Sequence, residues 1–179
     1  MPRILPLEPS KTAPEAKAVL DHVQSSLGVV PNMMRTLARS PAALQAYAAF
    51  SGSLKKGRLG AAIHENIALA VAEANRCDYC LSAHAVIGRK AGLSEQAVAE
   101  ARRGTPSDPR AAAAVCFARK LAGTNGDATD ADLVALRAAG LTDDDAIEIL
   151  AATALNVYTN WFNHLARPDI DFPVVRAGA

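Results

Sequence analysis

Glycine and proline punctuate this chain at short intervals, and the segments between them repeat apolar residues at spacings of three and four rather than two. That spacing is typical of amphipathic helices, whereas strands alternate with a period of two. Alanine, the strongest helix former, supplies about a fifth of the residues. We therefore predict an all-α fold. With glycine stops at Gly28, Gly92, Gly104 and Gly140 and proline starts at Pro31, Pro41 and Pro109, the expected helices span 13–27, 32–39, 41–56, 58–75, 77–91, 94–103, 108–123, 130–139 and 143–166.

The length of 179 residues is that of one ordinary globular domain, and half of the residues are apolar. The sequence contains no repeat, low-complexity tract or linker long enough to divide it. Residues 1–14 are rich in proline, and we expect them to form an arm that lies over the surface or over a neighbouring subunit. The prediction is a single domain over residues 1–179.

The charge balance argues against several classes of partner. Nineteen Lys and Arg against 18 Asp and Glu give a net charge of +1, which provides no field to attract nucleic acid or an acidic membrane surface. The longest uncharged stretch, 149–166, is interrupted by Thr, Asn and His and is poor material for a membrane span. Prolines interrupt the apolar run that a signal peptide would need near the N-terminus. We expect a cytoplasmic protein with no nucleic-acid or membrane partner.

A Cys-x-x-Cys-x3-His motif carries most of the chemical information in the chain. Cys77, Cys80 and His84 fall at i, i+3 and i+7, so a helix that begins near Cys77 presents all three on one face. The expected break at Asn75 and Arg76 puts both cysteines in the first helical turn, where free N–H groups and the helix dipole stabilise a thiolate. His84 can then exchange a proton with Cys80 or stabilise its anion, as nucleophilic thiols require.

Glu65 stands twelve residues before Cys77 among alanines and Leu69 in the preceding helix. A carboxylate in apolar surroundings is costly unless it has a partner. If the two helices pack as an antiparallel hairpin, Glu65 can lie beside His84 or the cysteines and relay a proton. The alternative is a surface glutamate.

Together, Glu65, Cys77, Cys80 and His84 match a family motif, Glu-x11-Cys-x-x-Cys-x3-His. The sequence resembles the AhpD-like (alkylhydroperoxidase D) branch of the carboxymuconolactone decarboxylase superfamily, and specifically its peroxidase-related members. The flanking segments that share this likeness are VPNMMRTLARSP at 30–41, NWFNHLA at 160–166 and DFP at 171–173.

The resemblance implies a helical bundle built around a hairpin that carries the two cysteines, assembled as a homo-oligomer, that reduces hydroperoxides. By position, it implies that Cys80 is the peroxidatic thiol, that Cys77 is the resolving thiol, and that His84 and Glu65 relay protons. Alkylhydroperoxidase D has a second histidine between its cysteines, where this chain has Tyr79, so proton delivery is expected to differ. The Cys80 thiolate would attack the peroxide, and the resulting sulfenic acid would condense with Cys77.

The source of electrons must lie outside the chain. The sequence contains no Gly-x-Gly-x-x-Gly fingerprint after a strand, so we predict no bound flavin or nicotinamide cofactor. The resemblance implies an external dithiol reductant, either a lipoyl-bearing or a thioredoxin-like protein.

Four alternatives remain open at this stage. Cys77, Cys80 and His84 could ligate a metal with His64, Cys116 or His164 as a fourth ligand, although structural zinc sites usually take two separated ligand pairs. The cysteine pair could be buried and inert. The chain could be a decarboxylase like the superfamily's namesake, although that branch generally lacks the cysteine pair. It could also be a redox sensor that reacts once and changes its assembly.

Other residues carry weaker signals. Cys116, in an Ala-rich stretch, is expected to be a small core residue. Met33 and Met34 are expected to pack in the core or an interface. Asn156, Asn160 and Asn163 form a polar stripe, for which we favour a hydrogen-bonded helix or subunit interface over the lining of an active site, and His164 is interpreted in the same way. This stripe runs beside an apolar one formed by Leu150, Ala154, Val157, Trp161 and Leu165.

Overall fold

The computed structural model describes residues 1–178 and is helical throughout, with no strand in that range. The all-α prediction is confirmed, and every expected helix is found with its ends within two residues of the predicted ones. A short 3-10 helix, Pro9–Lys11, precedes them. The helices are α1 (Pro14–Leu27), α2 (Asn32–Leu37), α3 (Pro41–Leu54), α4 (Gly60–Ala74), α5 (Asp78–Lys90), α6 (Glu95–Arg103), α7 (Pro109–Gly123), α8 (Asp130–Ala138) and α9 (Asp143–Ala166).

Local sequence signals define the helix ends. Thr142 caps α9 through a reciprocal pair of contacts with Asp145, because the Thr142 side chain accepts from the Asp145 N–H and the Asp145 carboxylate accepts from the Thr142 N–H. Gly28 and Gly104 end α1 and α6 in the left-handed conformation, which glycine adopts without a steric penalty.

Helix α4 is the centre of the bundle and packs against α5, α6, α7 and α9. Seven consecutive residues, 66–72, are buried, so this helix has no face in solvent along its middle. Leu69 on one side of α4 joins a core cluster with α2 and α5, and Ile67 on the other side joins a second cluster with α7 and α9. A helix buried on every side holds a fixed position, which makes α4 a rigid support for polar side chains at its N-terminal half.

A tight turn joins α4 to α5 at the predicted break. Arg76 adopts the left-handed conformation with φ of 54°, and the Cys77 N–H donates to the Ala72 carbonyl at 2.9 Å. The turn reverses the chain direction within two residues, so α4 and α5 form the expected antiparallel hairpin.

The two ends of the described chain pack onto this framework. The Arg3 and Ile4 N–H groups donate to the Ala166 carbonyl, so the proline-rich arm lies over its own subunit. At the other end, the Ala177 N–H and the Arg176 guanidinium contact the Asp78 carboxylate at 2.9 and 2.7 Å and hold the start of α5. The single-domain interpretation of residues 1–179 stays a prediction. Within residues 1–178, none of the helices combines the length and apolar character needed to cross a membrane.

Candidate functional site

The α4–α5 turn places the cysteine pair at the N-terminus of α5. Cys77 is the N-cap residue, and its sulfur accepts from the Cys80 N–H at 3.4 Å. Cys80 is the third residue of the helix, and both cysteines are free thiols that are almost fully buried. The predicted placement of both residues in the first turn is confirmed.

The surroundings of Cys80 favour its anion. Burial raises the pKa of the Cys80 thiol, but hydrogen bonds from the Cys77 thiol and the Asn163 amide and the positive charge of His84 outweigh it and lower the pKa to about 6. The Asn163 Nδ2 donates to the Cys80 sulfur at 3.2 Å. At neutral pH, Cys80 is therefore a thiolate, which is the nucleophilic form of cysteine.

Cys77 has the opposite character. Its thiol donates a hydrogen bond to Cys80, and this contact, together with burial and the negative charge of Cys80, raises the pKa of Cys77 far above its usual range. The pair thus holds one negative charge, on Cys80, and one proton, on Cys77. Cys80 can therefore attack as a thiolate, while Cys77 remains a thiol that can react in a later step.

His84 and Glu65 are brought together across the hairpin. The His84 Nδ1 lies 2.8 Å from the Glu65 Oε2, and both side chains are mostly buried, with exposed fractions of 22% and 14%. Burial lowers the pKa of His84, but the charge and the hydrogen bond of Glu65 and the charge of Cys80 raise it above its ordinary value. An imidazolium beside a thiolate is a proton donor in position for a leaving group.

A cavity of about 130 Å³ adjoins this pair, between α3, α4, α5 and α9. Its wall combines apolar side chains with polar ones from Tyr47, His64, Glu65, His84 and Asn156. The volume is close to that of the roughly 150 Å³ cavity that accommodates benzene in an engineered protein. The cavity can therefore hold a small organic molecule against the His84–Glu65 pair.

Comparisons with known proteins found similarity in sequence and in fold. The sequence profile of the carboxymuconolactone decarboxylase family matches residues 41–122, which include Glu65, both motif cysteines and His84. The crystal structure of a peroxidase-related protein from Ralstonia eutropha, described as an alkylhydroperoxidase AhpD core, superposes with a TM-score of 0.88 and 28% identity over 95% of this chain and 92% of that one. The chain therefore has the AhpD-like helical fold.

Two further solved structures share the AhpD-like fold. A peroxidase-related protein from a Silicibacter species has a TM-score of 0.81 and 26% identity over 95% of this chain and 94% of that one. A debrominase in complex with 2,3,4-tribromopyrrole has a TM-score of 0.80 over 94% of this chain and 91% of that one, and its 22% identity establishes the fold alone. No curated protein matches the sequence.

The asparagine stripe of α9 faces inward. Asn160 is fully buried, and its Oδ1 accepts from the Asn75 Nδ2 at 2.8 Å, so for this residue a hydrogen-bonded helix interface was the correct expectation. Asn163 also makes a hydrogen bond between helices, to Cys80 on α5, and this bond brings its amide to the reactive sulfur. For Asn156 the expectation is wrong, because its amide bonds the Ala152 carbonyl of its own helix and its side chain lines the cavity. The polar face of α9 therefore lies toward Cys80 and the cavity. His164 lies at the surface, with its Nε2 2.8 Å from the Asn75 carbonyl.

The apolar stripe of α9 is exposed except at Val157, which is half-buried and packs against the second core cluster. Trp161 and Leu165 keep 66% and 61% of their surface in solvent, and Leu150 keeps 46%. Helix α9 therefore exposes part of its apolar surface, although Ile149 and Ala152 of the same helix are buried in the core.

Cys116 corrects a second expectation. It is exposed on α7, although the sequence predicts a small core residue. The adjacent residues Val115 and Phe117 point into the core, and Cys116 between them points to solvent. In the described range, no group of three or more His, Cys, Asp and Glu side chains is arranged to hold a metal ion.

Tyr79 and the methionines are structural. The Tyr79 hydroxyl donates to the Asp171 Oδ1 at 2.7 Å and accepts from the Met33 N–H at 3.0 Å, so it ties α5 to α2 and to the C-terminal segment. Met33 and Met34 are buried in the core cluster that contains the cysteines, as expected.

The sequence reasoning missed Tyr47 on α3. This half-buried residue lines the cavity, and burial followed by the negative charge of Cys80 raises its pKa to about 12. No motif links Tyr47 to the cysteines, and only the packing of α3 beside the hairpin brings it to the site.

Proposed function

We propose that this protein is a thiol-dependent peroxidase that reduces hydroperoxides through Cys80 and Cys77. The observation that carries the proposal is the charge arrangement of the site, with a Cys80 thiolate, a protonated Cys77 and a His84–Glu65 pair within one hairpin. A nucleophile, a proton donor and a resolving thiol are the three groups that this reaction needs. The names of the superfamily's members span a decarboxylase, peroxidase-related proteins and a debrominase, so the assignment depends on the site rather than on the fold.

In the proposed cycle, the Cys80 thiolate attacks the terminal oxygen of the hydroperoxide. The O–O bond breaks, an S–O bond forms, and the departing alkoxide or hydroxide takes a proton from the His84 imidazolium, whose charge Glu65 supports. Cys80 is then a sulfenic acid. The Cys77 thiol attacks the Cys80 sulfur, and a disulfide and one molecule of water are formed. An external dithiol reduces the disulfide and is itself oxidised to a disulfide.

The substrate in this proposal is a small organic hydroperoxide or hydrogen peroxide. The cavity beside His84 and Glu65 has about 130 Å³ and both apolar and polar walls, which suits a short alkyl or aromatic group. The electron donor is a lipoyl-bearing or thioredoxin-like protein. A dithiol cycle of this kind needs a reducing compartment, which is why we place the protein in the cytoplasm.

The proposed assembly is a homo-oligomer. Ile147, Trp161 and Leu165 on α9 each keep more than half of their surface in solvent, and exposed apolar patches of this kind mark interaction surfaces. A second copy of the chain is the partner that the AhpD-like resemblance implies.

The test is steady-state turnover with dihydrolipoamide as the reductant and hydrogen peroxide, tert-butyl hydroperoxide or cumene hydroperoxide as the oxidant. Cys80→Ser, Cys77→Ser and His84→Ala are compared with the wild type, and Cys116→Ser is the control because Cys116 is the third, exposed cysteine. We expect Cys80→Ser and Cys77→Ser to abolish turnover and Cys116→Ser to leave it unchanged. A single equivalent of peroxide consumed, with no recovery by the reductant, would support a redox sensor instead. Turnover that survives Cys80→Ser would refute the mechanism.

A further inference from the structure

Two buried asparagines of α9 lie beside Cys80 with incomplete hydrogen bonding. Asn160 is 0% exposed, and its Nδ2 has no partner within residues 1–178. Asn163 is 5% exposed, and its Oδ1 likewise has none in that range. Buried amide groups are nearly always paired, because an unpaired one loses its hydration without compensation. An unpaired donor and an unpaired acceptor on adjacent turns, both next to a reactive sulfur, therefore indicate a ligand.

In each side-chain amide, one of the two polar atoms already makes a hydrogen bond. That bond determines the direction in which the unpaired atom points. The Asn160 Oδ1 accepts from the Asn75 Nδ2 at 2.8 Å, so the Asn160 Nδ2 must face away from Asn75. The Asn163 Nδ2 donates to the Cys80 sulfur at 3.2 Å and lies 3.5 Å from the Met33 sulfur, so its Oδ1 faces away from both. The Asn160 amide also favours the Cys80 anion, although its nitrogen makes no hydrogen bond of ordinary geometry.

The unpaired groups complement the oxygen that the proposed reaction leaves on Cys80. A sulfenic acid carries one hydroxyl group, which donates one hydrogen bond and accepts others. The unpaired Asn160 Nδ2 is a donor, and the unpaired Asn163 Oδ1 is an acceptor. The Cys80 thiolate has no hydrogen to donate to the Asn163 Oδ1, whereas an S–O–H group or the terminal O–H of a hydroperoxide can use both groups.

We propose that Asn160 and Asn163 bind the oxygen atom that passes from the hydroperoxide to Cys80. The Asn160 Nδ2 donates to this oxygen, and the Asn163 Oδ1 accepts from its hydrogen. This inference rests on the peroxidase function proposed above. Both amides keep their protons throughout, since the sulfur supplies the electron pair, the O–O bond breaks, and the proton for the leaving oxygen comes from His84. Their part is to hold the transferred oxygen in line with the sulfur in a site prepared before the substrate arrives.

The first test is a single-turnover reaction of the reduced protein with hydrogen peroxide. Samples are quenched and alkylated at intervals, and the oxidation of Cys80 is followed by mass spectrometry at a pH well above 6, where Cys80 is ionised. We expect Asn160→Ala to slow the oxidation on the order of 10²-fold, the effect of removing one preorganised donor. Thr153→Val is the matched control, because it removes a buried hydroxyl of α9 that donates to the Ile149 carbonyl in its own helix. We expect this control to react like the wild type.

Asn75→Asp provides a second test that leaves Asn160 and the core volume intact. A carboxylate only accepts hydrogen bonds, so the Asn160 amide would rotate, turn its Nδ2 toward position 75 and present its Oδ1 to the transferred oxygen. We expect a loss of rate similar to that of Asn160→Ala. The added negative charge also raises the pKa of Cys80, and for this reason the variants are compared on the pH plateau, where ionisation is complete.

The outcomes separate this inference from the proposed function. If wild-type Cys80 is not oxidised, the peroxidase proposal fails. If wild-type Cys80 reacts and the plateau rates of Asn160→Ala and Asn75→Asp equal that of the wild type, the peroxidase proposal stands and the oxygen-binding role is refuted. An equal loss in Thr153→Val would also refute it, because packing would then explain the effect. If Asn160→Ala does not fold, Asn75→Asp decides.

Discussion

Glu65 and His84 lie 19 residues apart in the sequence, yet their side chains meet at 2.8 Å across the α4–α5 hairpin. The contact forms because Arg76, in the turn after α4, adopts the left-handed conformation and the chain reverses at once. The pair is mostly buried, so its attraction is screened by solvent less than that of a surface ion pair. The charge and the hydrogen bond of Glu65 raise the pKa of His84 and so favour its protonated form near the Cys80 thiolate.

Removing the charge of Glu65 should therefore impair the proton donor. In Glu65→Gln, the new amide oxygen can still accept from the His84 Nδ1, but the pKa of His84 falls because the carboxylate charge is lost. We expect kcat/KM for hydroperoxide near neutral pH to fall by up to roughly 10²-fold, the lower end of what a general acid contributes. Peroxidase assays measure the rate, and NMR titration of His84 measures the pKa. Glu73→Gln is the control, because Glu73 lies on the same helix but pairs with Arg102. An unchanged kcat/KM in Glu65→Gln would contradict the relay.

The pH dependence follows from the direction of the two shifts. The pKa of Cys80 is lowered from 9.0 to about 6, so the nucleophile is lost below this pH and the peroxide reaction should rise through about 6 and then level off. The pKa of His84 is raised above 6.5, so the rate should fall again only above that value, as the imidazolium loses its proton. Asn163→Ala should move the rising limb to higher pH, because a hydrogen bond to the thiolate is lost. Stopped-flow profiles of wild type and variant test both points, and a wild-type limb near pH 9 would rule out the activated thiolate.

Stability should depend most on the buried helix α4. Leu69 of α4 is fully buried in the core cluster that contains both motif cysteines. Leu69→Ala should lower the free energy of unfolding by about 2–5 kcal/mol, the range for deleting a buried leucine side chain. Val134→Ala, at a 60% exposed position on α8, should change it by less than about 0.5 kcal/mol. Urea unfolding followed by circular dichroism compares the two, and equal midpoints would contradict the central role of α4.

The exposed stripe of α9 predicts the assembly state. Trp161→Glu combined with Leu165→Glu places two charges on this stripe, and we expect the protein to dissociate into monomers because the interface would then bury unpaired carboxylates. Light scattering coupled to size-exclusion chromatography measures the mass. Val134→Glu, on an exposed apolar residue of α8, should keep the wild-type mass. A wild-type monomer, or a double variant that remains oligomeric, would show that α9 is not the interface.

The sequence predicted the helices well because their ends have local causes. Thr142 with Asp145 starts α9, and Gly28 ends α1, and both signals lie within a few residues of the boundary they define. The cysteine motif could be predicted for the same reason, because its spacing places the side chains on one face of a helix independently of the tertiary fold.

Other parts of the site depend on tertiary packing. The orientation of α9 decided the roles of Asn163 and Trp161, since a helix with one polar and one apolar face can point either face inward when a subunit interface covers the other. Tyr47 reaches the cavity only because α3 packs beside the hairpin. Cys116 lies between two buried positions of α7, where a difference of one residue separates core from surface.

The most direct test of the central claim is the fate of the three cysteines after one equivalent of hydroperoxide. The reduced protein is mixed with tert-butyl hydroperoxide, alkylated and digested, and its peptides are analysed by mass spectrometry. The mechanism predicts a disulfide between Cys77 and Cys80 and a Cys116 that is still alkylated, and in Cys77→Ser it predicts a Cys80 sulfenic acid that dimedone traps. Unoxidised Cys80, or oxidation confined to the exposed Cys116, would contradict the mechanism.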